Sequence, residues 1–534
     1  MSEYNPSPSI ARRVATTLLA CGSLLFVAAC LFGDTLRPAP GRFAWAEPLF
    51  EEFDGAHVNL ANGNLFLERR DLELDTWLGP VAIGAVYNSA NAQWRWNFAM
   101  EHDGKRFTDQ SGALHDLQHV VVGTEIPGTH WLKHSEEAVR SRGGLVFQFS
   151  GGTLDAVHWN QHDYPRLAYT WSKMGGARQL ERIEQCLDAE AACLPLFEMS
   201  WDADGRLLSV RDRAARSLRI ERDQRGRPIR VEGAADAAAG RSGTHYEYET
   251  GATGRLVART LADGERSEFA YDTEGHLASL RRVGEGDPTT LFAYARADAK
   301  NYVTSVTRAD GSVRRYRFDA TWRLDSRTEA DGDTHRTTWQ GFHIASVTDP
   351  TGAKTRFDRS WGAASSPGLG RTLTITKTTA SGNRAVKVFV SGAHNRADPF
   401  AYALLSHSDS VDEIESRSYD RGRIASLHDG TFTFYFGYGD PGVSSFLPSS
   451  GGYAGSYRSA LLGNRGEHGH PLRITSASTL STLTLAAPVY DAVGNLLVGS
   501  GISEPTSPGR PGVVSRSFYA DRSLAGITYR ATSG

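Results

Sequence analysis

Histidine pairs are the first residues in this sequence whose spacing could do chemistry. Three pairs are four positions apart: His115 and His119, His130 and His134, and His158 and His162. On a helix this spacing would bring both imidazoles to one zinc ion. The residues around the pairs favour strands instead, in which four residues span about 13 Å, too far for shared ligation. We therefore expect no metal site here, and a metal-dependent hydrolase is the least favoured function.

Other candidate sites of chemistry match their motifs poorly. His468 and His470 could share one face of a strand, but a third ligand is not identifiable. The segment DADG at 202–205 resembles the start of a calcium loop, yet no glutamate follows at the twelfth position. Phosphate-binding glycine motifs and a Gly-x-Ser-x-Gly elbow are also absent. We predict a protein that is not an enzyme, with no catalytic residues, metal ligands or cofactor.

Composition narrows the class of protein further. The 534 residues carry 58 Lys and Arg against 61 Asp and Glu, and this near balance argues against a nucleic-acid partner. Glycine supplies 55 of the 534 residues, about 10% against an average near 7%, which predicts many turns. Four cysteines are too few for a disulfide-dense scaffold.

The amino terminus indicates export. A polar stretch ending in Arg12 and Arg13 precedes residues 14–32, which are free of charge. Three interpretations stay open for residues 1–46: a signal peptide cleaved after Ala46, a lipoprotein signal with Cys30 as the acylated residue, and an uncleaved membrane anchor. We expect an exported protein of the cell envelope or extracellular space (periplasm, outer membrane or cell surface) whose N-terminal segment contacts the membrane.

Export also changes how Cys186 and Cys193 are interpreted. In an oxidising compartment, two cysteines seven positions apart in a β-rich chain can close a short loop, so a structural disulfide is favoured. A metal or redox pair would need tighter Cys-x-x-Cys spacing and, for a structural metal, a second pair.

From residue 47 onward the pattern is almost entirely that of β-strands. Apolar residues alternate in runs of five to eight, separated by Gly, Asp, Asn and Ser. Asp-Gly dipeptides recur, including Asp310-Gly311 and Asp331-Gly332, and they favour the positive φ angles of two-residue hairpin turns. The sequence therefore predicts serial hairpins.

The hairpins form a repeat of about 20 residues. Asp310-Gly311 and Asp331-Gly332 are 21 apart, and the pairs Phe318-Asp319, Trp339-Gln340 and Phe357-Asp358 step by 21 and then 18. The fullest copy contains YDTEGHL at 271–277, with shorter copies WDADGRL at 201–207, YDRGRI at 419–424 and YDAVGNL at 490–496. A fixed period of this length is typical of repeat arrays.

Each position of the fullest copy has a physical interpretation. Tyr271 can bury its ring while the next side chain, Asp272, faces the other way and accepts hydrogen bonds from turn amides. Gly275 supplies the left-handed residue, and Leu277 re-enters the apolar layer. Tyr490, Asp491 and Gly494 occupy the same positions in the last copy. A single hairpin is barely stable, but a series laid edge to edge accumulates a core.

This motif resembles the YD repeat of bacterial RHS proteins and of the related teneurin shell. Upstream, HVNLANGNL at 57–65, DLEL at 71–74 and VYNS at 86–89 resemble the RHS-associated N-terminal domain. IEQC at 183–186 and CLPLF at 193–197 resemble the segment that precedes the repeats in B-type subunits of insecticidal toxin complexes. The three features occur in the family's order over about residues 57–360.

The resemblance implies an all-β fold of serial antiparallel hairpins forming a partial YD-repeat shell. It implies an RHS-associated β domain at 47–200, the repeat array at 201–360, and divergent repeats and loops at 361–534. Family shells enclose or deliver a toxin in intercellular competition, which makes a toxin cargo or a secretion-system component the expected partner. The family's closing segment is not recognisable, so we expect a short shell without a toxin domain, from a stand-alone or a truncated gene.

Aromatic residues support an alternative function. The 11 Trp, 19 Tyr and 23 Phe could form an exposed strip that binds glycan or a neighbouring cell's protein. Most of them recur at repeat positions that should face the interior of the shell. Trp94-Arg95-Trp96 is the first place at which to seek an exception.

Overall fold

The computed structural model describes residues 50–437, with gaps of one to seven residues, and isolated strands between 473 and 531. Three antiparallel sheets contain all its strands. The N-terminal sheet has five strands: β1 (Phe50–Phe53), β2 (Ala56–Asn59), β3 (Leu65–Thr76), β4 (Gly79–Asn88) and β5 (Gln93–Trp96). The C-terminal sheet has four: β38 (Val489–Tyr490), β39 (Leu496–Gly501), β40 (Gly512–Phe518) and β41 (Leu524–Ala531).

The long central sheet begins with short strands and continues as a series of hairpins. Its first fifteen strands are β6 (Glu101–His102), β7 (Arg106–Thr108), β8 (Leu114–Asp116), β9 (Trp131–Lys133), β10 (Ala138–Ser141), β11 (Leu145–Ser150), β12 (Thr153–Trp159), β13 (His162–Met174), β14 (Ala177–Cys186), β15 (Leu194–Trp201), β16 (Leu207–Asp212), β17 (Ser217–Arg222), β18 (Pro228–Glu232), β19 (Thr244–Tyr248) and β20 (Leu256–Thr260). The next nine are β21 (Arg266–Tyr271), β22 (Leu277–Val283), β23 (Thr289–Arg296), β24 (Tyr302–Thr307), β25 (Val313–Phe318), β26 (Leu324–Thr328), β27 (Thr334–Gln340), β28 (His343–Thr348) and β29 (Lys354–Ala363). The last eight are β30 (Arg371–Thr378), β31 (Arg384–His394), β32 (Tyr402–Ser408), β33 (Glu413–Asp420), β34 (Arg423–His428), β35 (Thr433–Gly437), β36 (Arg473–Ala477) and β37 (Thr482–Thr484).

The predicted all-β fold of serial hairpins is confirmed. From β9 to β37 every strand pairs antiparallel with its neighbours in sequence, and β6 joins the sheet through the pair Thr153 and Glu101. The one helix in the described part of the chain, α1, has five residues, Ala234–Ala238. The central sheet continues without a break past residue 200, where we placed a domain boundary.

Alternation along each strand buries one face of the sheet. In β17, for example, Leu218 and Ile220 are buried while the residues between and beside them are partly or fully exposed. One apolar core extends from Ala56 in β2 to Phe318 in β25, so the N-terminal sheet and the central sheet share it. This shared core binds the first sheet to the hairpins that follow it.

The prediction of two-residue hairpin turns is wrong. In the turn after β21, the Asp272 N–H donates to the His276 carbonyl and the Gly275 N–H donates to the Asp272 carbonyl, at 2.9 and 3.1 Å. The same pair of bonds closes the turns at Asp310-Gly311 and Asp331-Gly332. Three residues form each loop, and the last of them is in the left-handed conformation. This turn requires positive φ at one position, whereas a two-residue type I′ turn requires it at two. The aspartates of these dipeptides accordingly keep negative φ.

A second repeat prediction was also wrong. The pair Phe357-Asp358 has the spacing of a turn, but both residues lie inside β29, paired with Lys377 and Thr376 of β30. β29 and β30 are strands of ten and eight residues, so no turn follows this pair directly. Aromatic-polar pairs indicate a turn only where glycine or a similar residue can follow in the left-handed conformation.

Three turns of the described chain place a residue other than glycine in the left-handed conformation, at Ala92, Ala215 and Trp322, and the turn at Ala215 offers a test. Ala215 has φ of 63° and is exposed. A side chain in this left-handed conformation lowers the stability of the folded protein by roughly 1–2 kcal/mol. Replacing it by glycine removes that cost, but the greater flexibility of glycine in the unfolded chain offsets part of the gain. We expect Ala215→Gly to raise the free energy of unfolding by about 1 kcal/mol in urea denaturation.

The neighbouring substitution Ala214→Gly is the matched control. Ala214 packs against the core and is not among the residues with positive φ, so this change should lower stability. Equal effects of the two substitutions would contradict the assigned turn.

Candidate functional site

The aspartate of each repeat holds its turn together. Asp272 Oδ1 accepts the N–H groups of Glu274 and His276, both at 2.9 Å, and Oδ2 lies 3.0 Å from the His276 ring. Burial opposes ionisation, but these hydrogen bonds prevail and lower the pKa of Asp272. Gly275 has φ of 91° and Leu277 is fully buried. The repeat-defining side chains therefore serve the turn and the core.

Two sequence patterns produce this turn. In one, the first residue of the turn is an aspartate whose Oδ1 accepts the N–H two residues on; Asp202, Asp212, Asp223, Asp272, Asp319 and Asp349 do so. In the other, the aspartate precedes glycine and caps the end of the turn. Asp310 accepts the Ser312 N–H at 2.8 Å and Asp331 accepts the Asp333 N–H at 3.0 Å.

The tyrosine of each repeat caps the preceding hairpin. Backbone pairing between β20 and β21 stops at Ala258 and Glu268, which leaves the Leu256 carbonyl beyond the last pair. The Tyr271 hydroxyl donates to that carbonyl at 2.9 Å. A side-chain hydroxyl thus replaces the missing strand N–H, and a buried carbonyl that would otherwise lose its partner is satisfied.

The same bond recurs along the central sheet. In each case the donor lies three residues beyond the last paired residue of its strand; the donors are Trp171, Trp201, Arg222, Tyr248, Tyr271, Tyr294, Trp339, Arg359 and Tyr419. We call this series the donor ladder. Tyr, Trp and Arg are interchangeable in it because each projects a donor far from its backbone.

The position of Phe318 shows when a ladder donor is needed. Phe318 stands where a donor would be expected, but β24 and β25 stay paired up to Tyr302 and Phe318. No carbonyl is left beyond the last pair there, so a ring without a donor is sufficient. The separation of neighbouring strands, and not the repeat itself, therefore creates the requirement for a donor.

The N-terminal sheet docks on this ladder. Trp94 Nε1 donates to the Tyr248 hydroxyl at 2.8 Å, and the Leu256 N–H donates to the Tyr87 hydroxyl at 2.9 Å. Gly63 of the turn between β2 and β3 accepts the Leu277 N–H at 2.8 Å. The two sheets are joined by hydrogen bonds as well as by the shared core.

The aromatics proposed for glycan binding lie in this contact. Trp94 packs edge-on against Tyr246 with ring centroids 4.9 Å apart, and Trp96 stacks on Phe98 at 5.9 Å. The Arg69 guanidinium lies 5.3 and 5.4 Å from the Trp94 and Trp96 rings. Both indoles are partly buried. Trp361 is the more exposed aromatic, at 42%, with the Arg371 guanidinium 5.4 Å from its ring.

The described histidines of the three pairs lie partly in strands and partly in the connections between them, since His119 follows β8 and His134 follows β9. His115 lies in β8, where its Nε2 is 2.9 Å from Asp109 Oδ2. His158 in β12 bonds through Nδ1 to the Trp159 carbonyl at 3.0 Å. Among the residues that the structure describes, no group of three or more His, Cys, Asp or Glu side chains could hold a metal ion. His130, His468 and His470 lie outside the described residues.

The remaining predicted residues fall in three places. Cys186, at the end of β14, is bonded to Cys193 just before β15, with Cα atoms 4.3 Å apart. Tyr490 pairs with Leu496 across a shift in register, as Tyr271 pairs with Leu277. Cys30, Asp491 and Gly494 lie outside the described residues.

Sequence reasoning missed a cluster that joins distant strands. The Tyr402 hydroxyl of β32 donates to Glu125 at 2.6 Å, and Arg142 lies 3.7 Å from the same carboxylate oxygen. Burial, together with Arg359 and Arg142, lowers the pKa of the nearby His343 to about 4. These residues lie between 125 and 402 in the chain, so no local spacing could have indicated the cluster.

The fold and the donor ladder together define the class of this protein: a β-repeat protein built from serial hairpins with a docked N-terminal sheet. No family model matches the chain. In the part of the chain that is described, no helix is long and apolar enough to cross a membrane.

Solved structures of similar architecture are distant. A crystal structure of TcdB2-TccC3 without its hypervariable C-terminal region is 11% identical over 84% of this chain, with a TM-score of 0.31. The Photorhabdus luminescens Tc holotoxin pore is 11% identical over 88%, with a TM-score of 0.29. This chain covers 28% and 25% of those chains. A porin-like protein from Bacteroides uniformis, 12% identical with a TM-score of 0.18, matches 40% of this chain and is itself 92% covered. At these scores the likeness carries no argument about function.

Removing one donor tests the ladder. We expect Tyr271→Phe to lower the free energy of unfolding by about 1–2 kcal/mol, because the buried Leu256 carbonyl loses its partner. The control is Tyr302→Phe, at a strand that stays paired to its end, which should change stability by less than about 0.5 kcal/mol. Equal losses in urea denaturation would contradict a special role for the donor.

Acid should weaken the cluster around His343. Its folded pKa of about 4 lies below the unfolded value near 6.5, so the unfolded chain takes up the proton first and stability falls as pH drops from about 6.5 to 4. His343→Gln should flatten that part of the stability profile measured by denaturation at several pH values. An unchanged profile for His343→Gln would refute this assignment.

Proposed function

We propose that this protein is a non-enzymatic β-shell or scaffold of the RHS type, exported to the bacterial cell envelope. The observation that carries the proposal is the unbroken run of paired hairpins from β9 to β37, in which turn aspartates and donor side chains recur. Serial stacking of this kind produces an extended curved wall, because strands twist and each bulge adds to the twist.

The groups that could do chemistry support a scaffold. The repeat aspartates accept turn N–H groups, and the repeat tyrosines donate to strand carbonyls. Burial raises the pKa of Tyr271 well above its usual value, as it does for Tyr248 and Tyr294, so these hydroxyls stay protonated and remain donors. Side chains committed in this way stabilise the wall and are not available to a substrate.

The N-terminal sheet limits where a cargo would lie. It already covers the wall at Tyr248, Leu256 and Leu277. Cargo, a toxin segment in the lineage that the sequence motifs resemble, would therefore contact the later strands, beyond β25. Lipid or membrane attachment through residues 1–46 belongs to the same proposal.

Small-angle scattering tests the shell. A solid globule of the 488 residues from 47 to 534 should have a radius of gyration near 23 Å. We expect a clearly larger value and the scattering minimum of a hollow body. A value at the solid limit would remove the cavity.

A solid body would favour the alternative function, a surface module that binds glycan or protein. Trp361, with Arg371 beside its exposed ring, is the position from which such binding would be sought. An aromatic face and a guanidinium on adjacent strands suit the apolar face and hydroxyl groups of a sugar.

A further inference from the structure

A cavity of about 260 Å³ lies between the N-terminal sheet and the central sheet. Strands β3 and β4 bound it on one side, and strands β11 to β14 on the other. Its lining includes Glu68 and Arg70, which form an ion pair at 2.8 Å. Neither the hairpin repeat nor the donor ladder accounts for this space.

The lining is mainly apolar. Ile83 and Met100 face the cavity from the N-terminal side, and Leu154, Val157 and Leu167 face it from the central sheet; each is at most 3% exposed. A cavity lined in this way loses favourable contacts when it is empty and gains them when an apolar molecule enters.

Two polar side chains on this lining can donate a hydrogen bond to a ligand. Gln110 Nε2 is buried without a partner in the structure. Tyr169 also lines the cavity and is partly buried against the core, and burial raises the pKa of its hydroxyl, which therefore stays protonated. A buried donor such as Gln110 Nε2 costs stability until an acceptor satisfies it.

The two arginines at the cavity are already paired. Arg70 pairs with Glu68, and Arg69 Nε pairs with Asp71 at 2.8 Å. An anionic ligand would have to separate one of these pairs in a low-dielectric interior, which is costly. The paired arginines and the mainly apolar lining favour an uncharged molecule.

We infer that this cavity binds a small, uncharged, mainly apolar molecule with one hydrogen-bond acceptor, which Tyr169 and Gln110 hold. An apolar cavity of about 150 Å³ takes benzene, so this one accommodates about ten heavy atoms. An aryl or alkyl ketone has the required size and acceptor. The inference does not depend on the proposed shell function.

Two probes of the same shape test the inference on the full chain by isothermal titration calorimetry. Propiophenone carries a carbonyl acceptor, and propylbenzene is its counterpart without one. We expect both to bind, with propiophenone at least about fivefold tighter because of the hydrogen bond. No binding of either probe at its solubility limit would overturn the site.

Substitutions distinguish the contribution of the hydrogen bond to binding from that of the apolar cavity. Tyr169→Phe should reduce the preference for propiophenone several-fold while leaving propylbenzene binding nearly unchanged. Tyr271→Phe, which removes a hydroxyl from the donor ladder, should leave both affinities as in the wild type. A Tyr169→Phe protein that keeps the full preference would refute the role of the Tyr169 hydroxyl.

A substitution that fills the cavity provides a second test. Val157→Phe adds a ring where the probes would lie and should weaken both at least tenfold, in protein whose circular dichroism matches the wild type. Unchanged binding by this variant would place the probes elsewhere and overturn the inference. Should Val157→Phe fail to fold, the comparison of Tyr169→Phe with Tyr271→Phe decides the matter.

Discussion

The wall depends on one kind of hydrogen bond. A side-chain donor bonds to a strand carbonyl that has no backbone N–H opposite it. Pairing between neighbouring hairpins ends before the strands do, so a carbonyl near the start of one strand has no N–H opposite it. In the apolar layer, water cannot serve in its place, and an unsatisfied carbonyl costs about 1–3 kcal/mol. The hydroxyl of Tyr271 on the Leu256 carbonyl is the clearest case. Repeated along the sheet, this bond allows neighbouring strands to separate, and the sheet to curve, without leaving buried carbonyls unsatisfied.

The aspartate turns and the donor ladder are two parts of one device. Asp272 fixes the turn by accepting two N–H groups, and the fixed turn directs the Tyr271 ring towards the preceding hairpin. One hairpin would gain little from either, since few apolar residues are buried in it. When hairpins stack, each one contributes its own stability and that of its interfaces with its neighbours. The stability of the whole is then the sum of these contributions, as in other repeat proteins.

The N-terminal sheet covers part of the hairpin wall. Its contacts reach Tyr248, Leu256 and Leu277, so it bridges several hairpins instead of packing on one. The same junction leaves the apolar cavity beside Tyr169, where the two sheets leave space between them. Tyr402 and Glu125 likewise join parts of the chain that are far apart in sequence. These contacts fix how distant strands of the wall lie against one another.

The sequence by itself determined the β class, the hairpin repeat and the roles of Asp272, Gly275 and Leu277, because strand alternation and turn chemistry are local. Local spacing could not distinguish a turn from a long strand at Phe357-Asp358, nor show that Trp339 and Arg359 act as Tyr271 does. Which carbonyl lacks a partner depends on where two strands separate, and that depends on the packing of the whole sheet. The cavity and the cluster around His343 likewise exist only after residues more than a hundred positions apart have met. Tertiary structure decided these features because they arise from the fit between sheets, for which no short stretch of sequence carries a signal.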